Sequence, residues 1–499
     1  MKSARHPRIR RHQRQPRRTG PSTVALLVTL CALLIGCQAP APRVASELHV
    51  ASNPEQAVPF FLDTVQRRTF EWFWDETDPA TGLTAARAPS RPFSSVAGIG
   101  FALTAYGIGA ERGWVTREQA RERTLATLRF LWNAPQGPDA TEVTGHRGFF
   151  YHFLDLKTGY RYGKTELSSI DSTLLLGGVL FAQVYFDADN PQEREIRDLA
   201  DSIYQRVDWD FFLQDPPTVT MGWYPEQGYG RGRWRGYDES IILHVLALGS
   251  PTHPIEKETY DAFVSTYHWA DFHGQEHVNF PPHFGHHYSH IWIDFRGIQD
   301  DFMREKGIDY FENTRRATLA QRSYAIENPA RWLGYGPDLW GLSASTGPGR
   351  ISRTLDGRAR NFFGYSARGA AAQRIIDDGT IAPAAAAGSI PFAPEIAIPA
   401  VRAMLDRYED HILGRYGFLD AFNATLVETG EFELQHGEIV PGTCWVATDY
   451  LCTNQGPIVT MIENYRSGMI WDRMQRSPHL VRGLCRAGFR GGWLEGQCQ

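Results

Sequence analysis

Apolar residues recur at helical spacing along most of the chain, and this periodicity limits the possible folds more than any other feature. Near the start, Phe61, Val65, Phe70 and Phe73 lie close to the i, i+3, i+4 pattern that places side chains on one helix face. After this helix, which begins at residue 58, the pattern predicts helices over residues 94–110, 116–133, 168–187, 191–208, 238–249, 254–269, 286–305, 307–325, 368–378, 394–412 and 457–474. The strand–helix alternation of a parallel α/β sheet is absent. We therefore expect an all-α fold.

Loops of unequal length join these helices, a pattern typical of helical hairpins that close into a ring. The long connections, over residues 134–165, 209–237, 270–285 and 326–367, are rich in Gly, Pro, aromatic residues, His and acids. Long ordered loops in a compact domain often carry function. We expect an (α/α)6 toroid whose long loops gather at one end.

The N-terminus has the pattern of an export signal. Residues 1–20 are basic and contain no Asp or Glu, and an apolar run then ends in Leu34-Ile35-Gly36-Cys37, as in a secretory signal. This ending resembles the lipobox of bacterial lipoproteins, in which the cysteine, here Cys37, is lipidated. Gln38 in place of Asp resembles outer-membrane sorting. The alternative is ordinary secretion with cleavage near Ala41.

These features predict the domain organisation and the location of the protein. We expect a signal peptide over residues 1–37, a linker over 38–57, a catalytic body over 58–475 and a cysteine-containing tail over 476–499. The protein is expected to be exported and held in the membrane through Cys37, at the outer membrane facing the periplasm or the exterior.

The four remaining cysteines lie near the C-terminus. An exported protein favours disulfides, and four cysteines allow three pairings. We expect local pairs. Free thiols are the alternative, and a zinc site would lack the close CxxC spacing that supports one. The expected bridged cysteines are Cys444 with Cys452 and Cys485 with Cys498.

Composition excludes one class of partner and is compatible with another. The net charge of −5 gives no electrostatic basis for nucleic-acid binding. The chain has 14 Trp and 20 Tyr, whose flat apolar faces suit sugar rings but suit a protein core equally well.

Six segments rich in acids, aromatic residues and histidines carry the chemistry, and they cover residues 149–155, 166–172, 222–226, 237–240, 284–290 and 455–464. Taken in order they resemble the bacterial glycoamylase-like domain family, whose characterised members include endo-β-1,2-glucanases. The resemblance extends over about residues 59–475, and segments 248–254 and 379–383 add to it. It implies an (α/α)6 toroid that hydrolyses β-1,2-glucan as an endo-enzyme, without a cofactor and as a monomer.

Glycoside hydrolysis commonly needs two carboxylic groups, a proton donor and a base or nucleophile. Asp171 and Glu239 each lie at the start of an apolar helix, and Glu226 follows Trp-Tyr-Pro in a loop. Acids at helix starts also act simply as caps. We expect Glu239 to be the acid, with a pKa raised by nearby aromatic rings such as Tyr237. Asp171 is expected to be the base, with a pKa lowered by the helix start, and Glu226 is the replacement for either.

Further polar and aromatic residues in these segments are candidates for substrate binding. His286 and His290 share a helical face at a spacing that can bind zinc, but the motif lacks the Glu of His-Glu-x-x-His. The family resemblance implies a sugar-binding role instead, and no metal is expected. The substrate-binding candidates are Glu166, Trp223, Tyr224, Tyr237, His286, Tyr288, His290, Asp294, Gln455 and Glu463.

The sequence thus favours a β-glucan hydrolase that uses acid and base carboxyl groups, with inversion. Two alternatives stay open. The first is a glycan-binding surface lipoprotein that has lost catalysis. The second is an enzyme of the same fold that acts on another glucan.

Overall fold

A computed structural model describes residues 58–214, 217–355, 357–428, 430 and 432–498. The predicted signal peptide, Cys37 and the whole predicted linker lie outside the described residues. Within the described part of the chain, no helix combines the length and apolar character needed to cross a membrane.

The described chain is predominantly helical, as the periodicity predicts. Its α-helices are α1 Phe60–Asp75, α2 Val96–Glu111, α3 Arg117–Asn133, α4 Ser169–Tyr185, α5 Pro191–Gln205, α6 Ile241–Gly249, α7 Lys257–Val264, α8 Phe284–Trp292, α9 Asp301–Lys306, α10 Tyr310–Glu327, α11 Pro383–Gly388, α12 Pro394–Ile412, α13 Cys452–Arg466, α14 Met469–Met474 and α15 Pro478–Arg486.

The helices divide into an inner and an outer set. Helices α2, α4, α6, α8, α11 and α13 are buried on nearly all sides, and all nine residues of α6 are buried. The sequence explains this burial, since a helix that is apolar all round needs neighbours on every side. Helix α2 packs against α4 and α13, α4 packs against α6, and α13 packs against α8 and α11. The longer outer helices α1, α3, α5, α10 and α12 bury one face only.

Two glycines let α2 and α4 approach closely. A β-carbon at Gly100 would lie 2.2 Å from the main-chain oxygen of Leu174, and one at Gly178 would lie 2.1 Å from the oxygen of Gly100. Only a residue without a side chain fits such a contact. The contact sets the two helices side by side, so that their N-terminal ends begin near one another.

Short antiparallel strands fill the long connections. The strands β2, β6 and β22 run directly into the inner helices α2, α4 and α13, and each pairs with a strand of another loop: β2 with β5, β6 with β7, and β22 with β1. The loops are thereby fixed to the starts of the inner helices. The strands are β1 Arg87–Ala88, β2 Ser94–Ser95, β3 Gly145–His146, β4 Phe149–Phe150, β5 Phe153–Leu154, β6 Leu167–Ser168, β7 Gly222–Tyr224, β8 Gly228–Tyr229, β9 Trp269–Phe272, β10 Gln275–Val278, β11 Ala344–Ser345, β12 Ile351–Leu355, β13 Arg358–Phe362, β14 Ser366–Ala367, β15 Gly369–Ala371, β16 Arg374–Ile376, β17 Leu413–Gly414, β18 Gly417–Phe418, β19 Phe422–Asn423, β20 Glu438–Val440, β21 Cys444–Val446 and β22 Tyr450–Leu451.

The helix predicted over residues 368–378 is wrong, because this segment is the hairpin of β15 and β16. Fully buried Arg368 forms an ion pair with Asp378 at 2.6 Å. In a helix those two residues would lie about 15 Å apart along the axis, at 1.5 Å per residue. The pair instead holds the two ends of the segment together, which only a reversal of the chain allows.

Two other predicted helices have different bounds. The segment 286–305 is two helices, α8 and α9, separated by a turn in which Gly297 has a φ of +72°. The helix predicted to begin at Pro457 begins five residues earlier. Proline lacks the N–H that would bond to the carbonyl four residues before it. That carbonyl, of Thr453, accepts a hydrogen bond from the Tyr288 hydroxyl at 2.9 Å instead, so the proline is tolerated inside the helix.

One of the two predicted disulfides is present. Cys485 and Cys498 are bonded, whereas Cys444 and Cys452 are buried free thiols, so the predicted Cys444–Cys452 bridge is wrong. The two free thiols pack in different places. Cys444 lies in β21 opposite Val440, and the Cys452 sulfur lies against helix α2. The bonded pair connects α15, which packs against α6, to the C-terminal turn.

Candidate active site

A cavity of about 390 Å³ lies at the N-terminal ends of inner helices. Ser95 caps α2 by accepting a hydrogen bond from the Gly98 N–H at 3.2 Å, and Cys452 is the first residue of α13. Helix starts carry unpaired N–H groups and a positive dipole end, so they favour negative or polar groups nearby. The cavity is lined by Ala86, Arg87, Phe93, Ser95, His152, Phe153, Tyr365, Leu451, Cys452 and Thr453.

Asp171 lies beside this cavity, in the first turn of α4. The Ser168 hydroxyl accepts from the Asp171 N–H at 3.1 Å and donates to the Asp171 carboxylate at 2.6 Å. Burial raises the pKa of Asp171 even though the His152 charge and the Ser168 hydrogen bond lower it. The expectation that the helix start would give Asp171 a low pKa is therefore wrong, because desolvation of the charged form is the larger effect.

His152 connects Asp171 to a second acid. Its Nδ1 lies 2.8 Å from Glu166 Oε1, and its Nε2 lies 3.4 Å from Asp171 Oδ1. Burial lowers the pKa of His152, but the two carboxylates outweigh burial and the net pKa is raised. Burial raises the pKa of Glu166, but the hydrogen bond and charge of His152, its own backbone N–H and the Arg161 charge together outweigh this, and the net pKa is lowered. A protonated His152 can donate to both acids and hold Asp171 in one orientation.

Glu239 differs from these acids because it has no counterion among the described residues. Its Oε2 is buried and forms no hydrogen bond within the described part of the chain. Burial, followed by the charges of Asp238 and Asp171, raises the pKa of Glu239 well above its ordinary value. A carboxyl group in such surroundings holds its proton to a higher pH than an exposed glutamate does.

The backbone around Glu239 is fixed by two serines. The Ser289 hydroxyl of α8 donates to the Glu239 carbonyl at 2.8 Å and accepts from the Ile242 N–H at 3.1 Å. On the other side, Asp238 accepts from the N–H and the hydroxyl of Ser240. Glu239 is thus presented from a rigid helix start, which suits a group that must transfer a proton in one direction.

Chemically, the site combines a carboxyl group that retains its proton with a second carboxyl group held by a histidine and a serine. Glu239 and Asp171 also interact electrostatically. Pairs of titratable groups in different environments are the usual arrangement for acid and base roles at one pH.

Glu226 has a different environment from the two other catalytic candidates. It forms a two-pronged ion pair with Arg161 at 2.7 and 3.0 Å. The hydrogen bond to Arg161 lowers the pKa of Glu226. The Arg161 side chain is completely buried and lies over the Tyr151 ring, so Glu226 neutralises a buried cation.

Several predicted binding residues do lie near the acids. Trp223 and Tyr224 are on β7, which pairs with β6 at Leu167, and Tyr224 interacts electrostatically with Glu166. Tyr288 interacts electrostatically with Glu239, and its hydroxyl donates a hydrogen bond to the carbonyl of Thr453 at the cavity wall. These residues approach the site from the long loops and from α8.

Other predicted binding residues are not brought to the cavity. Tyr237 stacks on Tyr310 and packs against His286, while the His290 ring lies 3.0 Å from the Thr314 hydroxyl of α10. These side chains belong to the packed interior between α8 and α10. No group of three potential metal ligands occurs among the residues that the structure describes.

The last three predicted binding residues make structural contacts. Asp294, just beyond the C-terminal end of α8, forms an ion pair with Arg296 at 2.8 Å. Glu463, near the C-terminal end of α13, forms an ion pair with Arg112 at 2.6 Å. Gln455 is buried and donates to the Phe418 carbonyl at 2.8 Å.

The residues that hold the acids could not be predicted from the motifs. His152 lies in a chemistry-bearing segment but was not predicted as a site residue, and Ser168 and Arg161 were not predicted either. His152 is 19 residues before Asp171, with two strands between them, so no fixed spacing signals the contact. The only sequence signal is the order of the segments.

Comparisons with known proteins identify the family of this chain. A family model described as "Putative glucoamylase" matches residues 231–478. A solved structure from Bacteroides uniformis with the same description is 32% identical, with a TM-score of 0.74, and the match covers 88% of this chain and 100% of that chain. The chain belongs to the glycoamylase-like family.

Two further relatives carry names that state an activity. The exo β-1,2-glucooligosaccharide sophorohydrolase of Parabacteroides distasonis is 28% identical over 457 residues, which are 85% of this chain. This chain spans 57% of the length of that protein. An endo-β-1,2-glucanase from Chitinophaga pinensis, solved with sophorotriose and glucose, is 28% identical with a TM-score of 0.73 and is covered over 100% of its chain, by 88% of this one.

Proposed function

We propose that this protein hydrolyses β-1,2-glucan, with Glu239 as the proton donor. The observation that carries the proposal is a half-buried glutamate with one buried carboxyl oxygen that has no partner among the described residues, and whose pKa is raised well above its ordinary value. A general acid must hold its proton until the leaving oxygen takes it. Such a group is costly to bury and is common at catalytic sites.

We assign the second carboxyl role to Asp171, which activates a water molecule on the other side of the glycosidic bond and gives inversion. His152 and Ser168 fix the direction of the Asp171 carboxylate. The cavity at the helix starts would hold the sugar, with Phe93 and Phe153 offering flat faces to it; their ring centroids lie 4.2 Å apart. The alternation of inner and outer helices supports an (α/α)6 toroid as the finer architecture.

The substrate class is supported by the relatives, which act on β-1,2-linked glucans. We propose endo-cleavage by a monomer. The test is to incubate the purified protein with linear β-1,2-glucan, β-1,3-glucan and an α-1,4-glucan, and to measure new reducing ends.

Activity on β-1,2-glucan that yields a range of oligosaccharides supports the proposal. Release of disaccharide alone would indicate exo-action. Activity on the α-1,4-glucan alone would show that the substrate is an α-glucan and would contradict the proposed β-1,2-glucan. Binding without any cleavage would favour a non-catalytic glycan-binding protein.

We further propose that the protein is exported and anchored at the outer membrane through acyl chains on Cys37. The support is the sequence Leu34-Ile35-Gly36-Cys37. Changing Cys37→Ala and fractionating the cells tests this. Loss of the protein from the membrane fraction is expected, and unchanged membrane association would contradict the anchor.

A further inference from the structure

A second concave site lies on the C-terminal segment, at the other end of α6 from Glu239. Its groove has a volume of about 720 Å³, within the range typical of small-molecule sites. Arg482 and Arg486 of α15 donate to the carbonyls of Gly249 and Leu248, at the C-terminal end of α6. Glu239 lies two residues before the start of α6, so about 13 Å of helix separates the two sites.

Four arginines line this groove: Arg476, Arg482, Arg486 and Arg490. None of the described residues that line it is Asp or Glu. The Asp472 carboxylate interacts with Arg476 electrostatically, but it does not line the groove. Four positive charges therefore face one concave surface without a negative charge among its lining residues.

The donors of these arginines are only partly used by the protein. Arg482 and Arg486 each donate one N–H to a main-chain carbonyl, and Arg490 donates to the carbonyls of Cys485 and Phe489. A guanidinium group has five N–H donors. Most donors in the groove thus remain available to a ligand. Among the described residues, none forms a hydrogen bond or an ion pair with the Arg476 side chain.

The walls of the groove are held in place. Arg482, Cys485 and Arg486 lie on one face of α15, at i, i+3 and i+4 spacing. The lining also includes Cys498, which the disulfide fixes to Cys485, so the C-terminal turn is held against α15. The hydrogen bonds of Arg482 and Arg486 to the end of α6 hold these two side chains in place before any ligand arrives, which reduces the entropy cost of binding.

We propose that this groove binds a phosphate-bearing ligand. The planar guanidinium matches phosphate oxygens with two parallel hydrogen bonds, and several arginines suit a doubly charged group better than a single carboxylate. The volume exceeds that of one phosphate ion, so the ligand extends beyond the phosphate. A free phosphate compound and a phospholipid headgroup share this chemistry.

The experiment measures binding of two probes to the full chain. Inorganic phosphate is titrated by calorimetry, and vesicles of phosphatidylglycerol, with phosphatidylcholine vesicles for comparison, are tested by co-sedimentation. The double variant Arg476→Gln/Arg490→Gln is expected to weaken binding about tenfold or more, the scale of one charged hydrogen bond. The matched control is Arg350→Gln/Arg407→Gln, which removes the same charge from two exposed arginines outside the groove. Circular dichroism checks that both variants fold.

Each result decides the proposal. Binding of inorganic phosphate that is lost in the groove variant alone supports the site and shows that a free anion is sufficient. Binding only to phosphatidylglycerol vesicles, lost in the same variant, supports the site with a headgroup as its ligand. Binding of neither probe, or equal loss in both double variants, would overturn the proposal.

Discussion

Glu239 and Glu463 are glutamates at opposite ends of inner helices, and their surroundings differ: Glu463 is fully buried, whereas Glu239 is half-buried with one buried carboxyl oxygen. Glu463, near the C-terminal end of α13, accepts hydrogen bonds from Arg112, Gln66 and Ser467. Glu239, before the N-terminal end of α6, has a buried oxygen with no partner in the described chain. Burial alone therefore does not identify a catalytic acid.

The two glutamates differ in whether a neighbouring positive charge offsets the free-energy cost of burying a carboxylate. At Glu463 an arginine offsets that cost, and the pair connects α13 to the end of α2. At Glu239 no arginine does so, and the group stays protonated instead. A buried carboxyl group that is left unpaired lowers stability, and such a cost is typical of functional sites.

The largest effect is expected from Glu239→Gln. Removal of the proton donor should lower kcat on linear β-1,2-glucan by about 10²–10⁴-fold, while substrate binding persists. The measurement is the initial rate of reducing-end formation. If Glu239→Gln keeps more than about a tenth of the wild-type rate, well above that range, Glu239 is not the acid.

The same substitution at the other site is expected to act on stability instead. Glu463→Gln removes the ion pair between Glu463 and Arg112 and should lower the free energy of unfolding by about 3 kcal/mol, with kcat nearly unchanged. Thermal and denaturant unfolding measure this. Equal effects of Glu463→Gln and Glu239→Gln on kcat would remove the distinction between the two glutamates.

The two substitutions should also differ in the sign of their effect on stability at neutral pH. Because the pKa of Glu239 is raised, the folded state binds its proton more tightly than the unfolded state does, and ionisation in the unfolded state favours unfolding as the pH rises. Glutamine removes this penalty, so Glu239→Gln should raise the Tm while Glu463→Gln lowers it. A lower Tm in Glu239→Gln would mean that the glutamate is stabilising.

How much of this contrast could be predicted from the sequence depends on how far apart in the sequence the contacting residues lie. The apolar runs of α4 and α6 and the acids at their starts are local features, so both helices and the candidates Asp171 and Glu239 could be predicted. The Arg112–Glu463 pair joins residues 351 positions apart, and nothing local shows that Glu463 has a partner. Tyr237 and Glu463 were predicted as binding residues because their distant contacts cannot be seen in the local sequence. Residues 368–378 have enough apolar residues for a helix. The ion pair between Arg368 and Asp378, which joins the two ends of the hairpin, is not visible in the local sequence.

Asp171→Asn tests the acid that lies between these two extremes. Asp171 is buried and has a raised pKa, but it is held by Ser168 and His152. We expect a loss of kcat of about 10²-fold, the lower part of the range for one acid–base group. Ser168→Ala should cause a smaller loss, because it leaves the carboxylate in place and removes only its positioning. Equal activity of Asp171→Asn and wild type would assign the base role elsewhere.

The smallest expected effect is the pH dependence of stability that comes from His152. Because the pKa of His152 is raised, its contribution is fully present below its ordinary value of 6.5 and is lost as the pH rises through the folded value. Because the pKa of Glu166 is lowered, its contribution is present above its ordinary value of 4.5 and is lost as the pH falls through the folded value. The pair therefore stabilises most between these two pH values.

Since both side chains are 29% exposed, His152→Asn should cost less than about 1 kcal/mol there, and the difference from wild type should shrink at alkaline pH. Thermal unfolding across the pH range measures this, with exposed His253→Asn as the matched control; a deficit that grows with rising pH would show that the neutral imidazole, and not its charge, holds the two acids.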